Sequence, residues 1–225
     1  MIRARFYWLV VCVGFSLLGQ AQGWDSSYRS TYYDQKLTLF RLLPDTEGEI
    51  IFLGNSITDI GEWAEIWQNP RVKNRGISGD ITFGVLARLD EVLSARPAKI
   101  FVMIGVNDIA RNIPDSVILH NYRRIIEQVQ RFSPQTRIIF QSVLPTNDEF
   151  KPFKNHYGKD DHIRSVNAGL RSLCEESKVD YIDLYSRFLD ASGKLDKRYT
   201  NDGLHLNGAG YMHWKALLIE QKLMP

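Results

Sequence analysis

Short apolar runs recur along this chain, and they constrain its fold more than any other feature. Residues 49–53, apolar from Ile50 onward, read as a buried strand. The runs "KIFVMI" at 99–104, "RIIFQSV" at 137–143 and "VDYIDL" at 179–184 read likewise, and a weaker one lies at 71–74. Strands apolar on both faces belong in parallel sheets covered by helices. Between the runs, apolar residues recur at helical spacing: Phe83, Leu86, Leu89 and Leu93 form one stripe, and Val117, Tyr122, Ile125, Ile126 and Val129 another. Further helices are expected over 161–177 and 209–222, with an opening one through Tyr33, Leu37, Phe40 and Leu43 that Pro44 closes. Strand alternating with helix predicts an α/β, doubly wound domain, whose active groups collect at the carboxyl ends of the strands.

The first 21 residues are expected to be removed. Arg3 and Arg5 precede an apolar run at 6–18, and Gly19-Gln20-Ala21 follows, the layout of a secretory signal peptide. That run is shorter than the ~20 residues a bilayer span needs, so no membrane insertion is expected after cleavage. Residues 22–225 then form a single domain, secreted or periplasmic. Loss of the two arginines brings the 28 basic residues level with the acidic ones at 26. A balanced chain without a basic run argues against nucleic acid as a partner. Cys174 is the one cysteine left, so no intrachain disulfide is expected.

Polar, glycine-bearing turns should all follow strands if the α/β reading holds. "GNS" at 54–56 follows the first run, "NRGISGD" at 74–80 the weak second, and "GVND" at 105–108 the third. "NDGLHLNGAGY" at 201–211 follows the last run after a spacer. Ser56 is either a helix N-cap or a nucleophile on a strand-to-helix turn. A phosphate loop would need glycines and a lysine that are missing. A nucleophilic hydroxyl needs a base, and the base needs a group that holds its tautomer. Asp202 and His205, three apart, can supply both, with Nε2 of His205 facing Ser56; alternatively they are a helix-capping aspartate and a structural histidine. Acyl transfer also needs donors for the oxyanion. The Asn107 side-chain amide and the backbone N–H groups of Gly79 and Ser56 are candidates, although Asn107 also suits an ordinary turn and Gly79 a tight bend.

Gly54-Asn55-Ser56, Gly79, Asn107 and Asp202 to His205, in that order, resemble the blocks of the SGNH hydrolases, also called the GDSL esterase/lipase family. The likeness runs from about residue 50 to 211, most of the mature chain, and is nearest to the branch holding platelet-activating-factor acetylhydrolase catalytic subunits and bacterial acetylesterases. It implies a three-layer α/β/α, flavodoxin-like fold with a five-stranded parallel sheet, and neither metal nor cofactor. It also implies Ser56 as nucleophile, His205 as base, Asp202 as its orienting acid, and Ser56, Gly79 and Asn107 as the oxyanion hole. Asn55 stands where the family usually has aspartate, at a position with no catalytic role. Gly76 is a second candidate for the oxyanion glycine; Gly79, just before the aspartate of its block, is preferred.

Residues 144–162, "LPTNDEFKPFKNHYGKDDH", should overhang the same sheet end. Phe150, Phe153, His156 and Tyr157 could form a platform for a sugar ring, or the segment could be a solvated loop with its aromatics tucked back. Its His156, His162, Asp160 and Asp161 match no metal spacing. Asn167 is a candidate brace for it. The catalytic loops are short and no apolar lid is evident, which suits a small acyl group. An esterase for O-acetyl groups on extracellular glycan is therefore expected, with a small-molecule or glycan ester as its partner. The alternatives are a lysophospholipase or thioesterase, or a non-catalytic glycan-binding protein. Oligomeric state is not legible.

Overall fold

The computed structural model describes residues 23–225, so the expected signal segment lies outside it. In chain order the elements are α1 (Thr31–Phe40), β1 (Ile50–Gly54), α2 (Ser56–Asp59), α3 (Trp63–Ile66), β2 (Val72–Gly76), α4 (Thr82–Ala87), α5 (Leu89–Ser94) and β3 (Lys99–Met103). Then come α6 (Val106–Ala110), α7 (Asp115–Phe132), β4 (Arg137–Gln141), α8 (Asp160–Ser177), β5 (Asp180–Ile182) and α9 (Gly208–Glu220). The five strands form one all-parallel sheet in the order β2-β1-β3-β4-β5. That is the flavodoxin-like arrangement. Among the described residues no helix is long and apolar enough to cross a membrane.

Strand order dictates the layers. From β1 the chain steps outward to β2, then returns past β1 to β3. Right-handed crossovers in opposite directions must lie on opposite faces. On one face α4 and α5 pack against α7, and α7 packs against α8. On the other, α3 and α9 meet through Trp63, Tyr211 and Trp214. The Trp63 ring stacks on Phe52 of β1 at 3.9 Å, and Phe52 on Phe101 of β3 at 4.9 Å. These rings are fully buried, and burying a Phe side chain stabilises by about 1.5–3 kcal/mol.

Two expectations need correction. The stripe from Phe83 to Leu93 is not one helix but α4 and α5, broken at Arg88, whose φ is −120°. The break turns the Arg88 side chain into the protein, where it is fully buried on Asp80. The second run is also a longer strand than its apolarity suggested: β2 takes in Asn74, Arg75 and Gly76 of the polar motif. A Cβ at Gly76 would lie 2.2 Å from the Asp59 nitrogen, so its glycine lets α2 press onto the sheet.

Register sets the sheet's carboxyl edge. Gly54 pairs with Gly76 on one side and Met103 on the other. Three turns therefore leave the sheet at one level, carrying Ser56, Gly79 and Asn107. The strands β1 and β3 flank the point where connections diverge to opposite faces, and open α/β sheets place their ligands in that crevice.

Candidate active site

Ser56 is not the N-cap. That role belongs to Asn55, whose Oδ1 accepts the Ile57 N–H at 3.0 Å. Asn55 thus stands as a local brace where the family usually has aspartate. Ser56 is the first residue of α2, with its backbone N–H in the turn that a helix leaves without an internal acceptor. Its Oγ lies 2.9 Å from Nε2 of His205, and Nδ1 of His205 lies 2.8 Å from Oδ2 of Asp202.

The carboxylate fixes the tautomer. With Nδ1–H donated to Asp202, Nε2 is left to accept, so the Ser56 hydroxyl is the donor. Oδ1 of Asp202 accepts the amides of Leu204 and His205 at 2.9 and 2.8 Å. Burial pushes the Asp202 carboxyl up, but the His205 ring and those two amides outweigh it and hold it below its ordinary value. Asp202 stays ionised, the state in which it orients the imidazole and stabilises its cation.

The donors lie across from this chain. Gly79 has φ +81°, while a Cβ there would meet nothing within 4 Å. Its glycine therefore answers to backbone conformation, as a tight bend requires, and not to crowding by neighbouring protein atoms. No acceptor among the described residues takes its N–H. Gly76 donates its own N–H to Asn74 Oδ1 at 2.8 Å and has none to offer. Asn107 is buried, and its Nδ2 donates one hydrogen to the Asp80 carbonyl at 2.9 Å. The second Nδ2 hydrogen remains for a ligand.

Beneath these donors lies a polar layer that sequence reasoning missed. Arg88 pairs with Asp80 at 2.9 Å, both side chains fully buried, and donates to the Gly54 carbonyl at 3.2 Å. Burial raises the Asp80 carboxyl and Arg88 pulls it back only in part. Asp108, also fully buried, accepts the Thr82 hydroxyl at 2.6 Å and the Thr82 N–H at 3.0 Å. Asn121 donates to that hydroxyl at 2.8 Å. Burial pushes Asp108 up to about 7, against the Thr82 donors.

The segment at 150–157 reaches the site with three side chains. The Phe153 ring meets His205 edge-on at 5.0 Å and His156 at 5.9 Å. His156 Nε2 lies 2.9 Å from Asn107 Oδ1. Tyr157 donates its hydroxyl to the Asp202 carbonyl at 2.6 Å. Phe150 instead lies over Gly203. Asn167 braces the segment's root, bonding both N–H and C=O of Val143 at 2.8 and 2.9 Å. His162 bonds Asp115 at 3.1 Å, and among the described residues no three acidic, Cys or His side chains gather as a metal site.

A hydroxyl bonded to a neutral imidazole, beside converging N–H donors, is an arrangement suited to acyl transfer. Residues 52–213 match the GDSL-like lipase/acylhydrolase family model. The α1 subunit of platelet-activating factor acetylhydrolase IB from Rattus norvegicus is 28% identical over 174 residues, covering 74% of this chain and 72% of the rat protein. A solved chain from Streptococcus pneumonia superposes with a TM-score of 0.78 at 31% identity, covering 84% of this chain and 92% of that one. An acetylxylan esterase from Geobacillus stearothermophilus shares the fold at TM-score 0.62 and 18% identity, covering 81% of this chain and 98% of that one.

Proposed function

The chain belongs to the GDSL-like lipase/acylhydrolase family, whose members hydrolyse carboxylic esters, and from that membership we propose that it removes acetyl groups from extracellular carbohydrate. Ser56 Oγ attacks the ester carbonyl as its proton passes to Nε2 of His205. The carbonyl oxygen, now negative, accepts from the N–H groups of Ser56 and Gly79 and from Asn107 Nδ2, each such donor contributing ~3 kcal/mol. The intermediate collapses, His205 protonates the departing sugar hydroxyl, and Ser56 is left acetylated. Water, deprotonated by His205, then releases acetate.

The observation that carries this reading is the continuous bond from Asp202 through His205 to Ser56, at the same sheet edge as the unpaired Gly79 and Asn107 hydrogens. An acetyl group is favoured because Phe153 and His156 stand against His205 and Asn107 and narrow the space beside them. Acetyl is also the acyl group named for both the rat relative and the Geobacillus esterase. Phe153 and His156 also line a cavity of about 320 Å³ together with Lys151, Pro152, Lys154 and Asn155, which offers rings for stacking on a sugar and polar side-chain ends for its hydroxyls. The signal-like residues 1–21 support an extracellular glycan.

Acetate release from O-acetylated xylan, pectin and amino-sugar substrates tests the proposal, alongside p-nitrophenyl acetate and octanoate. The acetate ester should turn over faster, and Ser56→Ala should lower kcat by ~10⁶-fold. Faster cleavage of octanoate would replace the acetyl assignment with a lysophospholipase or thioesterase.

A further inference from the structure

His156 has no part in the proton relay, yet it is the side chain bonded to Asn107. The Asn107 amide has two ends. Its Nδ2 donates to the Asp80 carbonyl, which can only accept, so Oδ1 must be the end that faces His156. An oxygen there needs a donor, and Nε2 of His156 at 2.9 Å must carry the hydrogen. We propose that His156 is a positioning residue for the oxyanion donor: its Nε2–H, given to Asn107 Oδ1, locks the amide so that the second Nδ2 hydrogen points at the reacting carbonyl.

The other ring nitrogen fits this assignment. Nδ1 of His156 is buried with no hydrogen-bond partner, as suits a neutral ring whose proton is on Nε2. A proton at Nδ1 would be a charge without an acceptor. Burial first, and then the proximity of the His205 ring and the Arg111 guanidinium, hold His156 below its ordinary value. Without the ring, Asn107 would keep only its bond to Asp80, and the amide could swing about it. Catalysis needs the donor held before charge develops, because reorientation during the reaction gives back part of the stabilisation. Phe153, edge-on to both histidines, keeps the ring in place.

The inference rests on the esterase reading, and its test separates the two. A long-range ¹H–¹⁵N spectrum of the wild-type protein should show His156 as the Nε2–H tautomer. An Nδ1–H tautomer overturns the assignment, whatever the protein hydrolyses. If no ester were turned over, the esterase reading would fall while the tautomer result stood. In kinetics, His156→Phe keeps a ring beside Phe153 but removes the donor. It should lower kcat about tenfold or more, short of the ~10²–10³-fold expected for deleting the Asn107 amide itself, with KM nearly unchanged. His156→Gln, which can still donate, should recover most of that loss. In an Asn107→Ala background, His156→Phe should cost nothing further. Effects that multiply instead would show that His156 acts independently of Asn107 and would sink the proposal. Should His156→Phe fail to fold, the spectrum and the Gln variant still decide.

Discussion

On the Ser56 side of the site the functional groups are partly open to solvent: the His205 and Asp202 side chains keep 18% and 29% of their exposure. On the Gly79–Asn107 side the donors rest on side chains with none, the Asp80–Arg88 pair and Asp108. The first side must let a proton travel from Ser56 to His205 and on to a leaving group or from water, so it needs access and a movable ring. The second must not move at all, because it stabilises charge with dipoles set in advance. Within the first, Asp202 is held to His205 by local bonds, accepting amides two and three residues on, and the bond to Ser56 is the long-range step. The second depends on contacts from distant parts of the chain, Thr82 to Asp108 and His156 to Asn107.

The largest test of that contrast is Arg88→Met. Removing one partner of a buried pair leaves the other charge uncompensated, at about 3–5 kcal/mol, and urea unfolding should show a loss of that order. A loss near zero would mean the buried layer supports nothing. Next comes Asn107→Ala, expected to lower kcat by ~10²–10³-fold. Because it leaves His205 and Asp202 untouched, the pH midpoint of kcat/KM should stay where it is. A displaced midpoint would show that the two sides are coupled.

A third test concerns pH. Asp108 in the folded protein holds its proton up to about 7, whereas the unfolded chain releases it near 3.8. Across that window the folded state binds more protons, so raising the pH takes stability away. Asp202, held below its ordinary value, contributes with the opposite sign, its stabilisation being lost as the pH falls below that of a free carboxyl. Asp108→Asn removes the buried titration, and Oδ1 can still accept from Thr82. The melting temperature of the variant should therefore gain on the wild type between about pH 4 and about pH 7. A constant difference would show that Asp108 ionises as a free carboxyl does.

Legibility in the sequence follows the same division. β1, β3 and β4 could be read because burial on both faces leaves an uninterrupted apolar run. Ser56, Asp202 and His205 could be placed at one edge because chemistry in such sheets follows strand ends, and Asp202–His205 is a local pair. Arg88 could not. A charged residue within a helical stripe reads as solvent-facing, and only the approach of Gly54 and Asp80 in space makes a buried position tolerable. The helix break at Arg88 was lost for the same reason. His156 was legible as a neighbour of the site, but its bond to Asn107 depends on the path of a loop with no periodicity to betray it. The second strand was underestimated because Asn74 bonds the turn around Gly61 while Arg75 finds Glu91.

The partners Ser56 and His205 stand 149 positions apart in the chain. During synthesis the serine emerges early and remains an ordinary alcohol while most of the polypeptide is still being made. Its reactivity is conferred late, when the loop ahead of α9 arrives. A nascent or C-terminally trimmed molecule would carry the hydroxyl in place and yet be inert, so turnover reports on the finished molecule and not on its first half.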